Sequence, residues 1–216
     1  MGEKEDVVRI PVDGDLLEGN LRVPLGAKGV VLFAHGSGSS RFSPRNQYAA
    51  EVLNNSEIAT LLIDLLTRDE EQVDMRTRQF RFDICLLTER LISAAEWLKK
   101  TPRTKDLELG IFGSSTGAAA ALIAAAKLPG DVVAIVSRGG RPDLAMEHLA
   151  KVRAPSLFIV GGRDTIAIDL NKKAMAEVLA EKKLEIVPGA THLFEEPGKL
   201  EEVAKLATNW FLKHLK

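Results

Sequence analysis

Short apolar, β-branched runs alternate along this chain with longer stretches of helical periodicity. That alternation leaves few folds open. Val7–Pro11 and Leu16–Pro24 read as two strands joined by the turn Val12-Asp13-Gly14-Asp15. Six more strands follow at 29–34, 58–63, 107–112, 132–136, 156–160 and 184–187. Helical patterns occupy 44–54, 82–99, 115–127, 142–150, 168–181 and 195–215. The helix over 82–99 carries an apolar stripe of Leu86, Leu87, Leu91, Ala94, Ala95 and Leu98, and Cys85 is expected to join that core. The polar stretch Asp64–Gln79 reads as a loop. Continuous apolar strands such as GVVLFA are those of a sheet covered on both faces. The expected fold is α/β: a doubly wound, mostly parallel sheet with helices on both faces and no large lid domain.

Length fits one domain spanning residues 1–216. Lys plus Arg is 29 and Asp plus Glu is 30, so the net charge is −1 and the chain has no electrostatic footprint for nucleic acid. One cysteine excludes an internal disulfide framework and fits a reducing compartment. The start MGEKEDVVRI has neither a secretory core nor a myristoylation signal, and no apolar run reaches the ~18 residues a membrane span needs. The expected location is the cytoplasm.

In doubly wound sheets ligands sit at the carboxyl ends of the strands. Four motifs fall there. Gly113-Ser114-Ser115-Thr116-Gly117 lies between the strand LELGIF and an Ala-rich helix, the context a strained strand-to-helix turn requires. Such a turn would lift Ser115 Oγ above the sheet, and the Thr116 N–H would face a developing oxyanion. Gly161-Gly162-Arg163-Asp164 follows SLFIV, and Gly189-Ala190-Thr191-His192 follows LEIVP. A serine hydroxyl needs a base near neutral pH. His192 would take its proton, and Asp164 would hold the imidazole tautomer. Glu195 and Asp169 are fallback acids. Ala34-His35-Gly36-Ser37-Gly38 follows GVVLF, and its backbone would give the second oxyanion donor, with Ser37 first and Gly38 second. His35 is expected to be structural, and His148 and His214 to lie on the surface. No His, Cys, Asp or Glu grouping has metal-ligand spacing, and Arg41 stands where a dinucleotide fingerprint needs glycine. Neither a metal nor another cofactor is expected.

Together HGSGS, GSSTG, GGRD and PGATHLF resemble the α/β-hydrolase superfamily, in its dienelactone hydrolase-like branch, over about Val7–Leu215. The resemblance implies a Ser115–His192–Asp164 triad and an esterase-type activity. True dienelactone hydrolases carry a cysteine in the elbow, and this chain has Ser115. The expected activity is hydrolysis of small soluble esters or thioesters through an acyl-enzyme. Amide or C–C cleavage on the same triad stays open, as does a non-catalytic fold that binds a ligand or partner. Arg41, Arg45 and Arg138 are candidates for holding an anionic substrate group, although pairing with local acids would also explain them. The charged 64–79 segment could cover the site. A charged rim with little apolar lid argues against action on long-chain lipids.

Overall fold

The computed structural model describes residues 5–216, and residues 1–4, part of the start read above for export and myristoylation signals, lie outside it. A hairpin opens the chain: β1 (Asp6–Val12) and β2 (Asp15–Arg22) pair antiparallel across the turn Asp13-Gly14. Both turn residues have positive φ, 45° and 83°, as a right-twisted two-residue hairpin demands. Then come β3 (Val30–Ala34), α1 (Pro44–Asn55), β4 (Ala59–Ile63), α2 (Arg68–Thr77) and α3 (Ile84–Lys100). The chain continues with β5 (Leu109–Ser114), α4 (Thr116–Lys127), β6 (Val132–Arg138), a 3-10 turn and α5 (Met146–Leu149). It ends with β7 (Ser156–Gly161), α6 (Thr165–Glu177), β8 (Lys182–Val187) and α7 (Lys199–His214).

The eight strands form one sheet in the order β1-β2-β4-β3-β5-β6-β7-β8, parallel from β4 to β8 with the hairpin antiparallel at one edge. From β3 the chain steps to β4 on one side and then to β5 on the other. The switch point therefore lies between β3 and β5, where this topology opens a crevice.

Alternate residues of each strand feed two cores. Val30, Leu32 and Ala34 face the α3, α4 and α6 layer, while Val31 and Phe33 face α1 and α7. Phe33 stacks on Phe112 of β5 with ring centroids 4.8 Å apart. Residues 116–125 of α4 are all buried, because that helix is packed on all sides. Alanine at six of its first ten positions lets its neighbours come that close.

Three expectations need correction. The 64–79 segment contains α2, whose N-terminus carries a capping box: Thr67 accepts from Glu70 N–H while Glu70 accepts from Thr67 N–H. Cys85 is an exposed free thiol rather than core. It lies two residues, about 200°, from Leu87 and so on the opposite side of α3 from the stripe. The helix expected over 195–215 starts only after Gly198, which holds φ 78°.

Candidate active site

Ser115 sits at the switch point with φ 50° and ψ −121°, a strained conformation for a residue with a side chain. The turn is built by close approach. A Cβ on Gly113 would lie 2.5 Å from Ala118 Cα, and one on Gly117 would lie 2.4 Å from the carbonyl oxygens of Ala34 and His35. Only glycine fits at either place, which explains the spacing of the motif. Backbone bonds lock the elbow: Ser115 N–H donates to Arg138 O at 3.2 Å, and Arg141 N–H donates to Ser115 O at 3.0 Å. The N-terminus of α4 has no side-chain cap and no acid in its first turn. Its first N–H groups, that of Thr116 among them, lie at the positive end of the helix dipole.

Asp164 and His192 meet. Asp164 Oδ2 accepts from His192 Nδ1 at 2.7 Å, and Oδ1 caps α6 by accepting from Ala167 N–H at 3.1 Å. With Nδ1 donating, the neutral ring leaves Nε2 as an acceptor. The His192 loop is pinned on both sides. Thr191 N–H donates to the Glu196 carboxylate at 3.0 Å. The hydrogen bond from its own backbone N–H, followed by those from Thr191, holds the Glu196 pKa below the usual range. Phe194, at φ 57°, drives its ring into the α1/α7 core. A Cβ built on Gly139 would lie 3.4 Å from His192 Cε1, so the ring packs beside the strand end that holds the elbow. Among the described residues, Asp164 is the hydrogen-bond partner of the ring, and no such bond joins it to Ser115 Oγ.

The β3 loop closes the other side. A Cβ on Gly36 would lie 3.8 Å from Ser115 Oγ. His35 is structural: its Nδ1–H donates to Gly36 O at 2.9 Å and its Nε2 accepts from Leu65 N–H at 3.0 Å. Burial holds its pKa below the ordinary imidazole value. The expected donor Ser37 is engaged, with its N–H on Thr116 Oγ1 at 3.0 Å. Ser37 Oγ donates to Arg81 O at 2.9 Å, so in the 2.8 Å contact between the two hydroxyls Thr116 is the donor.

The arginines separate. Arg41 is paired within the fold: it is buried against Asp64, Glu18 at 2.6 Å and Asn20 at 3.2 Å, tying the hairpin to the loops after β3 and β4. Arg45 pairs through Nη1 with Glu195 at 3.0 Å, which also removes Glu195 as a fallback acid. Arg138 has no carboxylate partner. Arg141 pairs with Asp143.

Under α2 lies a cavity of about 230 Å³ lined by His35, Ser37, Leu65, Leu66, Met75 and Leu87, with Gly36 between it and Ser115. Arg81, held by Asp74 at 2.6 Å, closes one end. Composition left α2 and this Arg81–Asp74 pair unseen. The capping box Thr67-Arg68-Asp69-Glu70 was the available signal. Phe42, Ile166 and Leu193, near the motifs in sequence, are exposed. No helix among the described residues is long and apolar enough to cross a membrane, and no group of three or more His, Cys, Asp or Glu side chains among them could hold a metal.

A strained serine on a strand-to-helix elbow, with a His–Asp pair on later strand ends of a doubly wound sheet, is the layout of an α/β-hydrolase. The family model described as an alpha/beta hydrolase domain matches residues 27–209, and the chain belongs to that family. Within it the chain is dienelactone hydrolase-like. It is similar to the crystal structure of dienelactone hydrolase from Anabaena variabilis, at 55% identity and TM-score 0.97 over 99% of both chains. Est1E from Butyrivibrio proteoclasticus shares the fold at 16% identity and TM-score 0.81, over 96% of this chain and 98% of its own. A provisionally named phosphoribosyl transferase of Mycobacterium tuberculosis is 55% identical over 213 residues, 99% of this chain and 46% of its own length. This chain thus spans about half of that relative. The family and the Anabaena likeness support a hydrolase.

Proposed function

We propose that the protein is a serine hydrolase of carboxylesterase type that cleaves small soluble esters or thioesters through an acyl-enzyme on Ser115. What supports this reading is a strained Ser115 at an uncapped helix start after β5, and a His192–Asp164 hydrogen bond at the ends of β7 and β8 on the same edge of the sheet. His192 Nε2 takes the Ser115 proton as Oγ attacks the carbonyl, and later gives it to the leaving alcohol or thiol. Catalytic hydrogen bonds commonly tighten only when substrate is bound, and the Ser115–His192 bond forms at that stage. Asp164 holds the ring and stabilises the imidazolium. Thr116 N–H receives the oxyanion, joined by Ser37 N–H once the Thr116 hydroxyl releases it. Water, activated by His192, then frees the acid.

The cavity under α2, lined by Leu65, Leu66, Met75 and Leu87 but also by Asp64, Glu71, Asp74 and Arg81, takes a small, partly polar part of the substrate. Its size suits short chains rather than long lipids. A panel of p-nitrophenyl esters and thioesters of short acids tests the reading. Wild type should turn them over, and Ser115→Ala should lose about a thousandfold or more in kcat. Full activity in Ser115→Ala would overturn the mechanism.

A further inference from the structure

We infer that the place where the first turn of α1 meets the end of β6 is an oxyanion-binding site, for a carboxylate or phosphate group of the substrate, with Arg138 and Arg45 as its charges. As a substrate subsite it rests on the hydrolase reading above.

Arg138 is only 8% exposed, its Nη1 is sealed from solvent, and its guanidinium has no hydrogen-bond partner among the described residues. Its nearest compensation is the Phe112 ring, 5.7 Å away. The other buried arginines are treated differently: Arg41 has Asp64 and Glu18, and Arg90 has Asp13 and Glu70. An unpaired buried charge is costly, and a fold that pairs its other buried arginines has left this one without a counter-charge. A second cation adds to the cost. Arg45 also has a buried Nε without a partner, and only its Nη1 is used, on Glu195. Burial, followed by the nearby Arg45 charge, pushes the Arg138 pKa down to about 10, which still leaves it charged near neutral pH. An anion between the two guanidinium groups removes both penalties.

The direction of Arg138 follows from register. It is the β6 partner of Ser114 on β5, so both side chains leave the same face of the sheet. Ser114 Oγ lies 3.3 Å from Asn46 Oδ1 in the first turn of α1. Arg138 is therefore aimed at the start of a 12-residue helix with Pro44 in its first turn, no side-chain cap on Ser43 and no acidic residue in that turn. Free N–H groups and the helix dipole favour an anion there. The site is one residue from the elbow, since Arg138 O accepts the Ser115 N–H. A substrate with its anionic group a few atoms from the carbonyl would span both.

Three p-nitrophenyl esters of matched length, ending in a carboxylate, a phosphate or a neutral group, test this. Their kcat/KM is compared in wild type, Arg138→Met and Arg45→Met, alongside melting temperatures in succinate, inorganic phosphate or chloride of equal ionic strength. Wild type should prefer one anionic ester over the neutral one by about ten- to a hundredfold, and both variants should bring that ratio towards one. The arm that shows the preference identifies the oxyanion. In chloride Arg138→Met should melt higher than wild type, because an uncompensated charge has gone, and the stabilisation by the matching anion should vanish. A structural arginine would give the opposite sign. The site is overturned if Arg138→Met leaves the ratio and the anion-induced stabilisation unchanged, or if wild type shows neither. Anion-dependent stabilisation without turnover of any ester would support the site and sink the hydrolase reading. Turnover with no preference would do the reverse.

Discussion

In the proposed mechanism Ser115 carries two roles that conflict, nucleophile and hinge of a turn that disfavours any side chain. At φ 50° and ψ −121° it stores strain on the order of 1–3 kcal/mol. Ser115→Gly should therefore be more stable than Ser115→Ala by about 1 kcal/mol or more in urea unfolding, although both lack the hydroxyl. Equal stabilities would show that the turn is unstrained. Asp164 is similarly divided, since one oxygen caps α6 and the other holds His192. Asp164→Asn keeps an oxygen for the cap and can present an N–H to the ring, which favours the wrong tautomer. It should lose roughly three to four orders of magnitude in kcat with little change in stability. Asp164→Ala should add the loss of the cap, about 1 kcal/mol. Ester turnover and unfolding curves measured on the same preparations separate the two effects.

The loops that position the site are joined to one another by side chains, and here the sequence was only partly legible. The elbow, the GGRD turn and the His192 loop could be placed, because close packing demands glycine at spacings that periodicity exposes. The residues that tie loops together could not. Sequence leaves Arg41 open between a substrate ligand and a paired arginine, because its partners Glu18 and Asp64 lie on distant segments. α2 was missed because its composition is polar and its signal lies in a single capping box. His35 is such a tie, linking the β3 loop to Leu65 after β4. Both ring nitrogens are used in the neutral form, and protonation would turn Nε2 towards the Leu65 N–H as a second donor. Burial lowers its pKa, while the carboxylates of Asp64 and Glu71 pull it up. A lowered folded-state pKa means the unfolded chain binds the proton first. The His35 contribution is thus complete above the unfolded value of 6.5 and is lost as pH falls below it towards the folded value. Stability should drop there by up to about 1.4 kcal/mol per pH unit, and His35→Gln should remove that part of the slope. Identical slopes in denaturant titrations across pH 5–7 would place the proton uptake elsewhere.

At the scale of the whole molecule, the sheet order brings distant residues to one edge of the sheet. β3 leads to Ser37, β5 to Ser115, β6 to Arg138, β7 to Asp164 and the turn after β8 to His192. The alternation of strand and helix made this legible from sequence, because parallel crossovers put every such loop on the same edge. What sequence could not reveal was which polar groups would be left without partners. That depends on packing across two layers, and it is why Arg138 differs from Arg41. The direct test of the account is the mass of the protein after brief exposure to a slowly hydrolysed ester, with the modified peptide mapped. The account predicts an acyl group on Ser115 that builds up in wild type and is absent in Ser115→Ala and His192→Ala. An acyl group that forms equally well in His192→Ala, or resides on Cys85 or any other side chain, would contradict it.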